Sequence, residues 1–149
     1  MDQLSPHILV VDDEEIICQQ LQRLYTDSDY AVEGAHSGEA ALERLEKRDI
    51  DLVVTDIRLP GISGVDLTAE IKKKYPDVQV IVITGHAAID CAVEVLKSGA
   101  SDFIVKPFAA EAIQESTKTA LEKARVFIEI RQLRRTLKGA GEFGGMLSR

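Results

Sequence analysis

"ILVVDDEE", residues 8–15, runs four branched apolar residues straight into four carboxylates. The apolar half has no polar alternation, so both faces of a strand built from it would be covered, as in a parallel sheet flanked by helices. Four more runs of this kind follow: "YAVEGA" (30–35), "DLVVTD" (51–56), "VQVIVIT" (78–84) and "DFIVK" (102–106). Between them lie helical patterns, near 14–26 with Ile17, Leu21 and Leu24, near 38–47 with Ala41, Leu42 and Leu45, near 64–74 with Leu67 and Ile71, and near 87–98 with Ile89, Val93 and Leu96. Steps of three and four place each set on one helix face. Ser63 followed by Asp66 reads as a capping pair, and Gly99 stands where a helix takes its left-handed stop. Strand and helix alternating five times is the pattern of a doubly wound α/β domain.

Bulk composition agrees with a folded globular chain. The protein has 149 residues, 45% hydrophobic and 29% charged, with a formal charge of −7. No stretch has the length of a membrane helix and the start lacks a secretory pattern, so a cytoplasmic protein is expected, with no membrane partner. The charge is uneven: residues 1–108 carry 10 Lys+Arg against 20 Asp+Glu, and residues 109–149 carry 8 against 5. Phosphate contacts need clustered cations, so direct nucleic-acid binding is not expected. Cys18 and Cys91 lie far apart inside helical patterns and read as free thiols, and His7, His36 and His86 have no metal-ligand spacing.

In an open parallel sheet, ligands sit beyond the carboxyl ends of the strands. Here those ends supply Asp12 and Asp13, then Asp56, Thr84 and Lys106. Three converging carboxylates repel unless a cation lies among them, and Mg²⁺ suits oxygen ligands that it shares with phosphate. Adding Lys106 and the Thr84 hydroxyl describes a pocket for a small tetrahedral anion. An anionic Asp56 inside such a pocket makes sense as a nucleophile toward phosphorus, forming an acyl phosphate. Used only as helix caps and turn formers, the same aspartates would need no such register with Thr84 and Lys106.

The set "VVDDEE", "VVTDIRLPGISG", "VITGHA" and "SDFIVKPF" resembles the receiver domain of bacterial two-component response regulators over about residues 6 to 125. Its spaced features are Asp12 and Asp13, Asp56 with Pro60 and Gly64 beyond it, Thr84, and Lys106 with Pro107. The resemblance implies a five-stranded sheet in order 2-1-3-4-5 with helices on both faces. It implies that a sensor histidine kinase phosphorylates Asp56, with slow self-hydrolysis rather than multiple turnover. Mg²⁺ would be held by Asp13, Asp56 and the Arg58 main-chain carbonyl, with Asp12 acting through water. Lys106 would bind phosphoryl oxygens, the Lys106–Pro107 bond would be cis, Thr84 and Phe103 would form the switch, and Arg58 and His86 would tune the phosphoryl lifetime. The switch would act on the face formed by the fourth helix, fifth strand and fifth helix.

The last helix starts near Ala109 and runs to about Lys138 without Gly or Pro, too long for a sheet of five short strands. Ile113, Ala120, Ala124 and Phe127 continue one face; Val126, Ile130, Leu133 and Leu137 step by four, three and four along another. The second stripe calls for a twin helix, parallel or antiparallel, as a homodimer arm; the competing reading is a frayed or partly packed helix. The boundaries that follow are a receiver domain at 1–125 and an arm with the start of a further domain at 126–149. "LRRTLKGAGEFGGML" is similar to the linker of transcription activators that carry a central ATPase domain and work with sigma-54. Two other classes fit less well. A haloacid-dehalogenase-type phosphatase needs an acid where Arg58 stands, and a flavodoxin-like carrier would find its phosphate repelled by "DDEE". A phosphorylation-independent dimerisation module remains as the alternative.

Overall fold

Each strand's two parities feed two separate cores. In the computed structural model, which describes residues 5–85 and 92–139, β1 (His7–Val11), β2 (Ala31–Ala35), β3 (Leu52–Asp56), β4 (Gln79–Thr84) and β5 (Asp102–Val105) form one parallel sheet in the order β2-β1-β3-β4-β5. Helices α1 (Glu15–Asp27), α2 (Gly38–Lys47), α3 (Gly64–Lys74), α4 (Ala92–Lys97) and α5 (Ala110–Gly139) cover it. Leu9, Val11, Val53, Val80 and Val82 pack toward α2, α3 and α4, meeting Ala41, Leu45, Leu67, Ile71 and Val95. Ile8, Val10, Leu52, Val54, Ile81 and Ile83 pack the other way, against Cys18, Leu21 and Tyr25 of α1 and Ile113, Ala120 and Leu121 of α5. The expected topology and two-sided burial are therefore present. Helix-covered faces are what permit strands without polar alternation.

Local signals act where the sequence places them. Ser63 Oγ accepts the Asp66 N–H at 3.1 Å and starts α3. Gly99 adopts φ +110° after α4, and a side chain there would press on Lys72 Cγ at 2.7 Å. One expected face differs: Val93 and Leu96 of α4 are exposed, whereas Val95 is buried. Val95 joins the core cluster on the α2, α3 and α4 side of the sheet, and this packing turns Val93 and Leu96 outward. The expected start of that helix, including Ile89, and Cys91 lie outside the described residues.

Helix α5 runs antiparallel to the sheet and continues past its lower edge. Its first half buries Ile113, Thr117, Ala120 and Ala124, and the Thr117 hydroxyl shares a 2.8 Å hydrogen bond with the buried Tyr25 hydroxyl. Its second half is held from beneath: Arg131 pairs with Asp51 and Arg135 with Asp49, both acids standing in the turn before or at the foot of β3. Asp51 is itself tied to β1, its Oδ2 accepting the His7 N–H at 2.9 Å. No helix among the described residues is long and apolar enough to cross a membrane.

Candidate functional site

At the upper edge, three strand ends deliver charge to one point. Asp12 follows β1, Asp56 ends β3, and Lys106 follows β5. Oxygens of Asp12, Asp13 and Asp56 all lie within 4.8 Å of one another. Asp12 is only 1% exposed and Asp56 is buried, whereas Asp13 opens to solvent. Each buried carboxylate uses one oxygen locally: Asp12 Oδ1 accepts the Glu14 N–H at 2.9 Å, and Asp56 Oδ1 accepts the Arg58 N–H at 3.3 Å. These are the turn-forming bonds typical of aspartate. The second oxygens of both face Lys106.

Lys106 Nζ lies 3.3 Å from Asp56 Oδ2 and 3.8 Å from Asp12 Oδ2. Its reach is set by the backbone, since the Lys106 N–H donates to the Thr84 carbonyl at 2.8 Å and the following peptide to Pro107 is cis. Asp12 Oδ2 is buried and accepts no hydrogen bond. An ionised oxygen in that position is costly unless a cation completes it. Burial pushes the Asp12 carboxyl above its ordinary value; the Glu14 N–H opposes this, nearby Asp56 adds to it and Lys106 partly offsets it. The donor set thus fits a hard divalent ion: all oxygen, two rigid members and one solvent-facing, with an unsatisfied buried atom at the centre.

The remaining expected residues fall as follows. Thr84, buried at the end of β4, donates its hydroxyl to the Gly85 carbonyl at 3.2 Å. Phe103 is half-buried against the α4 side of the core, and the Arg58 side chain is exposed beside Asp56. Pro107 is exposed. His86 lies outside the described residues. Val126, Ile130 and Leu133 are 59%, 39% and 60% exposed, while Leu137 is half-buried.

Two residues at the site carry structural weight beyond the sequence reading, which picked out Gly64 by its spacing from Asp56 but gave it no role and did not pick out His36. Gly64 lets α3 start against β3: a Cβ there would sit 2.4 Å from the Asp56 carbonyl oxygen and 2.6 Å from Ile57 Cα. Its N–H also donates to the Ile57 carbonyl at 2.8 Å, so the Asp56 backbone is braced from below. His36 Nδ1 lies 3.1 Å from the Asp12 carbonyl oxygen. The only sequence signal for it would have been its place at the end of β2, next to β1.

A sheet in this order, with acids at the first and third strand ends and a lysine at the fifth, defines a flavodoxin-like domain carrying an acidic pocket. The chain belongs to the response regulator receiver domain family, whose profile matches residues 8–118. It is 36% identical over 138 residues to the C4-dicarboxylate transport transcriptional regulatory protein DctD of Rhizobium meliloti, covering 93% of this chain and 30% of that protein. It is 38% identical over 133 residues to the nitrogen assimilation regulatory protein NtrX of Azorhizobium caulinodans, covering 88% and 29%. The chain therefore spans under a third of the length of these curated relatives. Among solved structures, a response regulator receiver domain protein from Clostridium thermocellum superposes with a TM-score of 0.78 at 33% identity, covering 82% of this chain and 98% of that one. NtrX from Brucella abortus in complex with ADP superposes with a TM-score of 0.79 at 36% identity, covering 87% and 30%.

Proposed function

We propose that this chain is the phosphoacceptor of a two-component pathway, with Asp56 the residue that receives the phosphoryl group from a sensor histidine kinase. The observation that carries this reading is the convergence of Asp12, Asp13 and Asp56 around an unpartnered buried oxygen, with Lys106 in contact with Asp56. Asp12, Asp13, Asp56 and the Arg58 main-chain carbonyl would hold Mg²⁺. When bound, the ion offsets negative charge on Asp56 and on the phosphoryl oxygens. An Asp56 carboxylate oxygen attacks phosphorus, the phosphorus–nitrogen bond to the kinase histidine breaks, and the electron pair and a solvent proton go to the imidazole. Lys106 then exchanges its contact with the Asp56 oxygen for one with a phosphoryl oxygen.

Thr84 and Phe103 would report the new charge: the hydroxyl moves to a phosphoryl oxygen, and the ring follows into the space it leaves. Arg58, exposed beside Asp56, and His86 set how fast water removes the phosphoryl group. Residues 1–125 form the receiver and residues 126–149 the arm that opens a following domain. The output is control of transcription through a sigma-54-dependent ATPase domain, with homodimerisation of the arm and no DNA contact by these residues. Relatives named as transcriptional regulatory proteins and about three times as long support that placing. A cytoplasmic location goes with it.

Incubation with Mg²⁺ and acetyl phosphate tests the reading by intact mass. The chain should gain roughly 80 Da, one phosphoryl group, and Asp56→Asn should gain nothing. Labelling that survives Asp56→Asn, or none in the unmodified chain, would refute it.

A further inference from the structure

Beyond its last main-chain rung, the β1–β2 ladder is continued by a side chain. The Asp12 N–H donates to the Ala35 carbonyl at 3.1 Å, and the Asp12 carbonyl meets His36 Nδ1 at 3.1 Å. In a parallel pair the neighbouring strand would ordinarily supply a main-chain N–H to that carbonyl. Here the chain has turned away into α2, with Ser37 as its N-cap, and the imidazole fills the gap. A carbonyl oxygen only accepts, so Nδ1 carries the proton. The ring stands on a fixed corner. Ser37 Oγ accepts the Ala40 N–H at 3.1 Å, Ile62 packs over Gly38, where a Cβ would lie 2.1 Å from Ile62 Cγ2, and Glu39 Oε2 accepts the Ile62 N–H at 3.3 Å.

We propose that His36 is a positioning residue for the acidic cluster, holding the Asp12–Asp13 peptide so that the Asp13 carboxylate is already placed for a divalent cation. This rests on the preceding section's reading of the cluster as a Mg²⁺ site, and adds a residue that acts through the main chain rather than as a ligand. The three acids differ in what fixes them. Asp12 and Asp56 are buried, and each bonds a main-chain N–H through Oδ1. Asp13 is exposed, and no group among the described residues bonds its carboxylate. Its position therefore comes from its backbone. The Asp12–Asp13 peptide is planar, so a bond to its oxygen also orients its nitrogen and the Asp13 Cα. The Asp12 side chain holds the far end of the same turn by accepting the Glu14 N–H. With His36 in place both ends of segment 12–14 are held. Without it the peptide plane between them can rotate, and binding the ion must itself order Asp13, which weakens affinity.

Isothermal titration of the 149-residue chain with Mg²⁺ tests this, using His36→Ala, His36→Asn and His36→Gln. Asparagine carries its amide nitrogen on Cγ, as histidine carries Nδ1, and can donate to the same carbonyl; the glutamine nitrogen stands one carbon further out. His36→Ala and His36→Gln should weaken Mg²⁺ binding about three- to tenfold, the range for one net hydrogen bond, and His36→Asn should stay within about twofold of the unmodified chain. The Mg²⁺ concentration giving half-maximal acetyl phosphate labelling of Asp56 should rise by the same factors. Without metal, the Asp13 amide resonance in proton–nitrogen NMR should move in His36→Ala and His36→Gln and return in His36→Asn, because that N–H shares its peptide with the bonded carbonyl. An alanine variant that binds Mg²⁺ as tightly as the unmodified chain, or an asparagine variant no better than the glutamine one, would overturn the proposal. The unmodified chain keeps the two readings apart. If it binds Mg²⁺ and takes the label while residue 36 makes no difference, positioning alone is refuted; if it does neither, the Mg²⁺ reading falls and this inference with it.

Discussion

The most direct consequence of the site geometry is that removing an acid should strengthen the metal-free protein and abolish its response to metal. Asp12→Asn is the sharpest version, since the retained amide oxygen still accepts the Glu14 N–H that Asp12 Oδ1 accepts now. Asp56, within 4.8 Å, opposes ionisation of Asp12 by at least about 3.5 kcal/mol at an effective dielectric near 20, and Lys106 at 3.8 Å returns about 4.4 kcal/mol. These nearly cancel, which leaves the burial of an unbonded anionic oxygen uncompensated, a cost of about 1–3 kcal/mol. The raised carboxyl fixes the sign with pH. The folded chain holds the Asp12 proton more tightly than the unfolded one, so this stabilisation is full below the ordinary value of 3.8 and is lost as pH rises through the folded value. At neutral pH, Asp12→Asn should therefore raise the metal-free Tm by about 2–4 °C, the shift expected for 1 kcal/mol in a chain of this size. Mg²⁺ at 100 times its Kd should add about 2.7 kcal/mol to the unmodified chain and little to the variant. Differential scanning calorimetry with and without Mg²⁺ measures both. A variant that melts lower without metal, or one that keeps the full Mg²⁺ shift, would refute the electrostatic account of the cluster.

Three further outcomes follow from contacts elsewhere. Gly64→Ala must displace backbone atoms rather than a mobile side chain, so it should cost about 2–4 kcal/mol in urea unfolding and lower the rate of Asp56 labelling, because the strand end moves. Burial raises the Tyr25 phenol to about 12, which stabilises the neutral form in the fold; this contribution is full below pH 10 and lost as pH rises to 12. Tyr25→Phe should accordingly cost about 1 kcal/mol at pH 7, by breaking the bond to Thr117, and remove most of the stability loss between pH 10 and 12 seen in urea titrations. Ser63→Ala should cost about 1 kcal/mol through the lost cap of α3, with Mg²⁺ affinity unchanged.

What could be read in the sequence depended on how local its cause was. Parallel strands covered on both faces have to be apolar at every position, so Ile8 to Val11 and Leu52 to Val54 declared themselves as strands. The rule that ligands gather at strand carboxyl ends then brought Asp12, Asp56 and Lys106 together before any coordinates. Contacts that close over long stretches of chain left no trace: the Tyr25–Thr117 hydrogen bond spans 92 positions and the Arg131–Asp51 pair spans 80. Asp51 reads as an ordinary strand-opening residue until α5 is seen to pass beneath it. The α4 stripe was misleading for a related reason. Val93 and Leu96 have the spacing of a core face, but which residue turns inward is set by the core's shape, and that selects Val95.

Helix α5 is held at both edges of the sheet, and β3 joins the two points of attachment. Above, α5 follows Lys106, whose ammonium group touches Asp56 at the end of β3; below, Arg131 grips Asp51 at its foot. A five-residue strand buried on both faces transmits little bending. Whatever happens to the Lys106 contact therefore has to be absorbed at the top of α5, while its lower half stays registered to the floor. The expected signature is asymmetric. With beryllofluoride and Mg²⁺, hydrogen exchange should change at residues 103–112 and remain unchanged at 129–135, whereas Arg131→Gln with Arg135→Gln should raise exchange throughout 125–137 in both states. Equal changes at the two ends of α5 in the unmodified chain would mean that the floor contact is not an anchor, and that the arm moves as one piece with the phosphoryl site.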